Sequence, residues 1–312
     1  MINIQGPGSL KKMSGRFNGE VCRIPDLLFA RKHLTHPKES RNIKNTKHLF
    51  SFVSSPQIYK DKIVIGKTKG WCHALREPDK LLTKVPKIFL PESDFMDPGF
   101  IAFRPREKHK QYDFFYYTLN SRAGINNKGL KVFCDCISIL CNDMKLKGLV
   151  IVYFPNVPRR KFLSNLDSND RRRIENSNLT FVWGKLNDSQ MAKIASQSKF
   201  GFFPNTVDNS PRTISEAMIR DVPILVNEEI HGGWHYVNEQ TGQLFNKKNL
   251  AQKVSLIMKN QYSPRDYFIK NYGFERSSRK LAEFIQSIVT LDKKYSHIYF
   301  KNYEKFMREM IL

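Results

Sequence analysis

At 312 residues the chain is long enough for two modest α/β bodies, and a hydrophobic content of 40% excludes wholesale disorder. Its net charge is +23, from 52 Lys and Arg against 29 Asp and Glu, a surplus that points to an anionic partner: a lipid surface, a nucleic acid or a phosphorylated ligand. Residues 1–110 hold 22 basic and 10 acidic residues and the remainder 30 and 19, so the surplus is not a single basic arm.

The N-terminal stretch MINIQGPGSL lacks a signal-peptide core, and no run of about 18 apolar residues is present to span a membrane; the expectation is a cytoplasmic chain. Short strands are predicted at Leu49–Val53 and Lys62–Ile65, on either side of a turn at Ser55-Pro56. Trp71–Leu75 follows a glycine and reads as the start of a helix. His73 within it has two readings, a sugar or phosphate contact or a structural histidine beside an aromatic cluster. Ile88–Leu90 is a short strand, and Pro91–Arg106, with three prolines and little periodicity, reads as a linker between domains.

From Tyr112 the pattern becomes regular. Asp113–Leu119 is an aromatic strand, and its loop carries Arg122 and Gly124 before Lys128-Gly129. Leu130, Phe133, Ile137 and Leu140 then form a helical stripe. A cation at a strand-to-helix loop adds to the positive end of the helix and suits a diphosphate, although a solvated surface pair remains open. Cys134, Cys136 and Cys141 lack zinc-site spacing and read as small core residues, and five cysteines in all suit a reducing compartment. Leu149–Phe154 and Leu179–Trp183 are apolar strands. Between them lie the basic triplets Arg159–Lys161 and Arg171–Arg173, read as phosphate contacts or solvated helix ends. After Gly184-Lys185-Leu186, Asp188 is the predicted cap of a helix that turns Met191, Ile194 and Ala195 inward.

Lys199–Phe245 organises the rest: strand, loop, helix, strand, glycine loop and a final short strand. Phe200–Pro204 is a buried parallel strand by pattern. Its loop ends in Ser210-Pro211, with Ser210 the predicted N-cap, and the helix carries Ile214, Ala217 and Met218 on one face before the apolar strand Val222–Val226. Strand–loop–helix–strand places a ligand loop at the carboxyl end of a parallel sheet. In that loop stand Asp208, Asn209 and Ser210, with Glu216 eight residues after Asp208. Each carboxylate also has a plainer reading, as a helix cap or a solvated side chain. Helices are predicted at about Leu250–Lys259 and Glu275–Leu291, followed by a basic, aromatic tail.

Asp208…Glu216-Ala217-Met218, then Asp221-Val222-Pro223-Ile224-Leu225-Val226, Gly232-Gly233 and Thr241-Gly242-Gln243-Leu244 together resemble the donor-binding segment of family-4 glycosyltransferases, the retaining enzymes of the GT-B fold. Lys128-Gly129 matches that family's Lys-Gly pair, and Arg122 lies six residues before it. Two departures stand out: Asp208 replaces the usual Glu, one methylene shorter, and Asp221 replaces the usual Gly. The resemblance covers roughly residues 112–290.

The resemblance implies an α/β, GT-B-like architecture of two Rossmann-type domains, the first shortened: a short acceptor-side domain at 1–108, a nucleotide-sugar domain at 109–290 and a C-terminal helix at 291–312 packed back on the first domain. It implies a retaining hexosyltransferase. Its donor is a nucleotide-diphosphate sugar and its acceptor a glycan or a lipid-linked molecule, with a peripheral contact on anionic membrane and no nucleic acid. Glu216 would hold the ribose and Asp208 the donor sugar. Lys128 and Arg122, with the backbone N–H groups of Asn209 and Ser210, would stabilise the leaving diphosphate. No divalent metal or other cofactor is required, because these cations take its role. Two alternatives are a sugar-nucleotide-binding protein of weakened activity and a basic nucleic-acid-binding protein.

Overall fold

The computed structural model describes residues 27–30, 48–53, 58–119, 128–153, 159–164 and 166–289. Contacts divide the chain into two compact units, residues 1–97 with 271–312, and residues 98–270. These limits differ from the boundaries 108/109 and 290/291 read from the sequence. The predicted C-terminal helix at 291–312 and Arg122 lie outside the described residues.

The first unit holds a four-stranded parallel sheet of β1 (Leu27–Ala30), β2 (His48–Phe52), β3 (Thr68–His73) and β4 (Lys87–Phe89), in the order β1-β2-β3-β4. Two sequence expectations are corrected here. Lys62–Lys67 is a helix, α1, not a strand: the Asp61 carboxylate accepts from the N–H groups of Ile63 and Val64 at 3.0 and 3.2 Å and starts the turn, overriding the β-propensity of Ile and Val. Trp71-Cys72-His73 ends a buried strand and does not open a helix, because its side chains face cores on both sides of the sheet. A second short helix, α2, covers Pro78–Leu81.

The second unit is built on a six-stranded sheet of β5 (Tyr112–Leu119), β6 (Gly148–Tyr153), β7 (Leu179–Trp183), β8 (Ser198–Phe203), β9 (Ile224–Asn227) and β10 (Gly242–Phe245). Every pair is parallel, and the order is β10-β9-β8-β5-β6-β7. The helices are α3 (Leu130–Ile137), which continues as a π-helical stretch over Ser138–Asp143, α4 (Arg159–Ser164), α5 (Ser168–Glu175), α6 (Asp188–Ser196), α7 (Arg212–Ile219), α8 (Leu250–Lys259) and α9 (Pro264–Asn271). One face of β5 sends Phe114 and Tyr116 into a core with Phe133, Phe200, Phe202 and Phe245, in which Tyr116 stacks on Phe133 at 4.2 Å. The predicted helical stripe and the three cysteines of this segment are buried in that core. Burial pushes the thiols of Cys134, Cys136 and Cys141 up to about 12.

Two caps also differ from expectation. Asn187, not Asp188, caps α6, in a reciprocal pair with Gln190. Pro211 occupies the cap position of α7, one residue after Ser210. The turn from α7 to β9 needs a left-handed residue, and Asp221 takes it at φ 60°. That conformation accounts for the glycine that the resembling family places there.

The last helix, α10 (Phe274–Ile288), belongs to the first unit. Leu281, Ile285 and Val289, spaced four apart, pack with Phe50, Phe52 and Cys72 of the sheet. Gly70 lets it approach: a Cβ there would lie 2.8 Å from the Phe284 ring. Among the described residues no helix is long and apolar enough to cross a membrane.

Candidate active site

In the second unit the strand order reverses between β5 and β8, which are neighbours although far apart in sequence. In an open parallel sheet such a reversal opens a crevice at the carboxyl ends of the two strands, because their following connections leave to opposite sides. The segments after β5 and β8 meet there. Lys128 Nζ lies 2.7 Å from Asp208 Oδ2, and each side chain keeps 14% of its surface exposed.

Backbone geometry brings the two together. Gly129 caps α3 at φ 67°, a conformation that favours glycine, and a Cβ there would sit 2.2 Å from the Pro204 carbonyl oxygen. Tyr116 Oη donates to the Lys128 carbonyl at 3.0 Å, fixing the lysine backbone to the end of β5. Across the crevice, Asn205 Nδ2 donates to Asp208 Oδ2 at 3.1 Å and the Ser210 N–H donates to Oδ1 at 3.3 Å. Both carboxylate oxygens are therefore engaged, and the short aspartate is tied into its own loop.

The glycine loop after β9 is laced onto the Asp208 loop. His231 N–H donates to the Thr206 carbonyl and Gly232 N–H to the Asp208 carbonyl, both at 2.9 Å. Asn209 Oδ1 lies 3.2 Å from His231 Nδ1, and Asn209 is buried. Gly232 has no room for a side chain, since a Cβ would meet the Asn209 carbonyl oxygen at 2.0 Å. The predicted Gly232-Gly233 pair thus serves a close backbone approach.

Glu216 lies in the second turn of α7, with 26% of its side chain exposed and the Arg220 guanidinium 3.7 Å away. Tyr117, near the end of β5, has its phenol raised above the ordinary range, first by burial and then by the Glu216 carboxylate; Tyr153 at the end of β6 lies 6.1 Å from it, ring to ring. Asp208, Lys128, Asn209 and Ser210 thus share the crevice, and Glu216 projects from the helix that follows it. Asn205, His231, Tyr117 and Arg220 were not singled out from the sequence. Arg220 carried a readable signal, its spacing of four from Glu216 on one helix. Among the described residues no cluster of three His, Cys, Asp or Glu side chains is grouped as a metal site.

His73 lies in the first unit at the end of β3. Its Nδ1 accepts from the Leu75 N–H at 3.2 Å, and its ring meets Phe89 edge-on at 5.8 Å. Burial, with the nearby Lys87, lowers its pKa to about 4, so it is neutral at pH 7.

Compared as sequence, the chain matches no family model and none of the curated proteins. Compared as structure, it is similar to sucrose-phosphate synthase from Thermosynechococcus elongatus, with a TM-score of 0.57 at 13% identity over 89% of this chain and 76% of that one. It is likewise similar to Anabaena HepE in complex with UDP-glucose, at 0.62 and 10% over 84% and 79% of the two chains. A third is a glycosyltransferase from Rickettsia africae, at 0.57 and 16% over 86% and 78%. These neighbours are GT-B glycosyltransferases, and with two parallel-sheet units the chain has the GT-B-like α/β fold.

Proposed function

We propose that the chain is a retaining hexosyltransferase that moves a sugar from a nucleotide-diphosphate donor to a glycan or lipid-linked acceptor. The observation that carries this reading is the apposition of Lys128 and Asp208 at the reversal of the parallel sheet, with Glu216 on the helix that follows. Glu216 accepts from the ribose hydroxyls. Lys128, assisted by Arg122 and by the backbone N–H groups of Asn209 and Ser210, the latter exchanging its bond to Asp208 for one to the ligand, stabilises the charge that grows on the diphosphate as the sugar–phosphate bond breaks. Asp208 holds the donor sugar. A charge aimed at a leaving group in a closed crevice typically contributes about 100-fold or more to turnover. With Lys128 and Arg122 in that role, no divalent metal is required.

The fold neighbours include HepE in complex with UDP-glucose, which supports a sugar nucleotide as donor for this chain too. The net charge of +23 supports a peripheral contact with anionic membrane that brings the enzyme to its acceptor. Flotation with anionic liposomes tests that contact, and no binding at physiological salt would end it. The second reading, sugar-nucleotide binding without efficient transfer, draws on Asp208, whose oxygens are already taken up by Lys128, Asn205 and Ser210.

Turnover separates the two. Release of nucleoside diphosphate from one member of a sugar-nucleotide panel, above background and lowered about 100-fold by Lys128→Ala, supports the transferase; binding without release supports the second reading. NMR of the product then reads the anomeric configuration, and inversion would contradict a retaining enzyme.

A further inference from the structure

The side chain of Arg220 is only 3% exposed, yet it carries a full charge. A buried guanidinium is costly unless its donors are matched, and apolar replacements of such groups are often neutral or stabilising, so its presence calls for a role. One end of it is anchored on α6: Nη2 pairs with Asp188 Oδ1, and the other oxygen of that carboxylate accepts from the Ala102 N–H. The other end faces Glu216, on the preceding turn of α7. Nη1 donates to the Glu216 carbonyl at 3.1 Å but stands 3.7 Å from the Glu216 carboxylate. That separation is close enough for Coulomb attraction and too long for a good hydrogen bond.

We propose that Asp188 and Arg220 are positioning residues for Glu216. Asp188 draws the guanidinium towards α6, so that Arg220 steers the Glu216 carboxylate by charge while leaving both its oxygens free to accept from ligand hydroxyls. Asp188 itself lies outside the crevice, with 42% of its side chain exposed, and acts only through Arg220. When the pull of Asp188 is lost, the guanidinium moves onto Glu216 and occupies the oxygens that the ligand would use. This rests on the proposal that Glu216 holds a ribose.

The test is titration calorimetry with nucleoside diphosphates and their 2′- and 3′-deoxy counterparts, on the native chain and on Asp188→Asn, Asp188→Glu and Arg220→Met. The native chain is expected to prefer the ribonucleotide about tenfold, the worth of one hydrogen bond to a charged group. Asp188→Asn cuts that preference to about twofold with little change in affinity for the deoxy ligands, and Asp188→Glu restores most of it. In an Arg220→Met background, Asp188→Asn has no further effect. A merely structural role for the pair would weaken ribo and deoxy ligands alike, and that result overturns the inference. So does a native ribose preference that Asp188→Asn leaves intact, with the donor-site reading still standing. A native chain that binds no nucleoside diphosphate overturns both.

Discussion

Lys128 and Asp208 stand 80 positions apart in the chain and 2.7 Å apart in space, one after β5 and the other after β8. The pair closes the mouth of the sheet at the point where its winding reverses. The lysine is therefore paired with a carboxylate, and the diphosphate of the proposed donor would compete with Asp208 for it.

Lys128→Ala removes the cation and leaves Asp208, mostly buried, with Asn205 and the Ser210 N–H as its side-chain partners among the described residues. The expected cost in stability is about 1–3 kcal/mol, read by urea unfolding. Donor turnover is expected to fall about 100-fold. Asp208→Asn with Lys128→Ala restores part of the stability and none of the turnover. Equal stability of the single and double variants would contradict the pairing.

Gly129→Ala tests the close approach of the two segments. The new Cβ would lie 2.2 Å from the Pro204 carbonyl, in a left-handed conformation that alone costs an L residue about 1–2 kcal/mol. The expected loss exceeds that figure, and the thermal midpoint of the variant measures it. A variant as stable as the native chain would contradict the geometry.

His73 makes stability depend on pH. Its folded pKa, about 4, lies below the ordinary 6.5, so between those values the unfolded chain binds the extra proton. Its contribution is fully present above pH 6.5 and is lost as pH falls towards 4. His73→Gln is expected to flatten the stability profile of the native chain in that window, as read by urea unfolding at pH 7, 5.5 and 4.5. Identical slopes would place the histidine in a more solvated setting.

Asp221 acts through the same linkage. Burial raises its carboxyl above 3.8, so the folded chain takes up the proton more readily and the ionised form is destabilising at neutral pH. Asp221→Asn, which tolerates the left-handed φ of 60°, is expected to be more stable than the native chain at pH 7. That gain shrinks as pH falls through the raised pKa. A constant difference across the range would contradict the burial.

The parallel sheet of the second unit was legible because its strands are short apolar runs bounded by turn residues, and Leu250–Lys259 was found to the residue. Lys128, Asp208 and Glu216 were picked out through the order and spacing of the motifs around them. Their meeting was not readable, since it depends on β5 and β8 being neighbours, with Phe114 paired to Phe200 across 86 positions. The first unit was harder. Lys62–Ile65 has the composition of a strand, and one capping aspartate turns it into a helix, while Trp71–His73 is hidden as a strand by its mixed residues and preceding glycine. The spacing of Arg220 from Glu216 was readable, but its pairing with Asp188 was not, because that residue lies on another helix, 32 positions away.

The most direct test of the central claim is titration calorimetry of the native chain and of Glu216→Ala with a panel of nucleoside diphosphates and their sugars, without added metal. The account predicts that one nucleotide binds the native chain and that Glu216→Ala weakens it at least tenfold, as loss of a charged hydrogen bond to the ribose would. Binding that Glu216→Ala leaves unchanged, or no binding by the native chain, would contradict it.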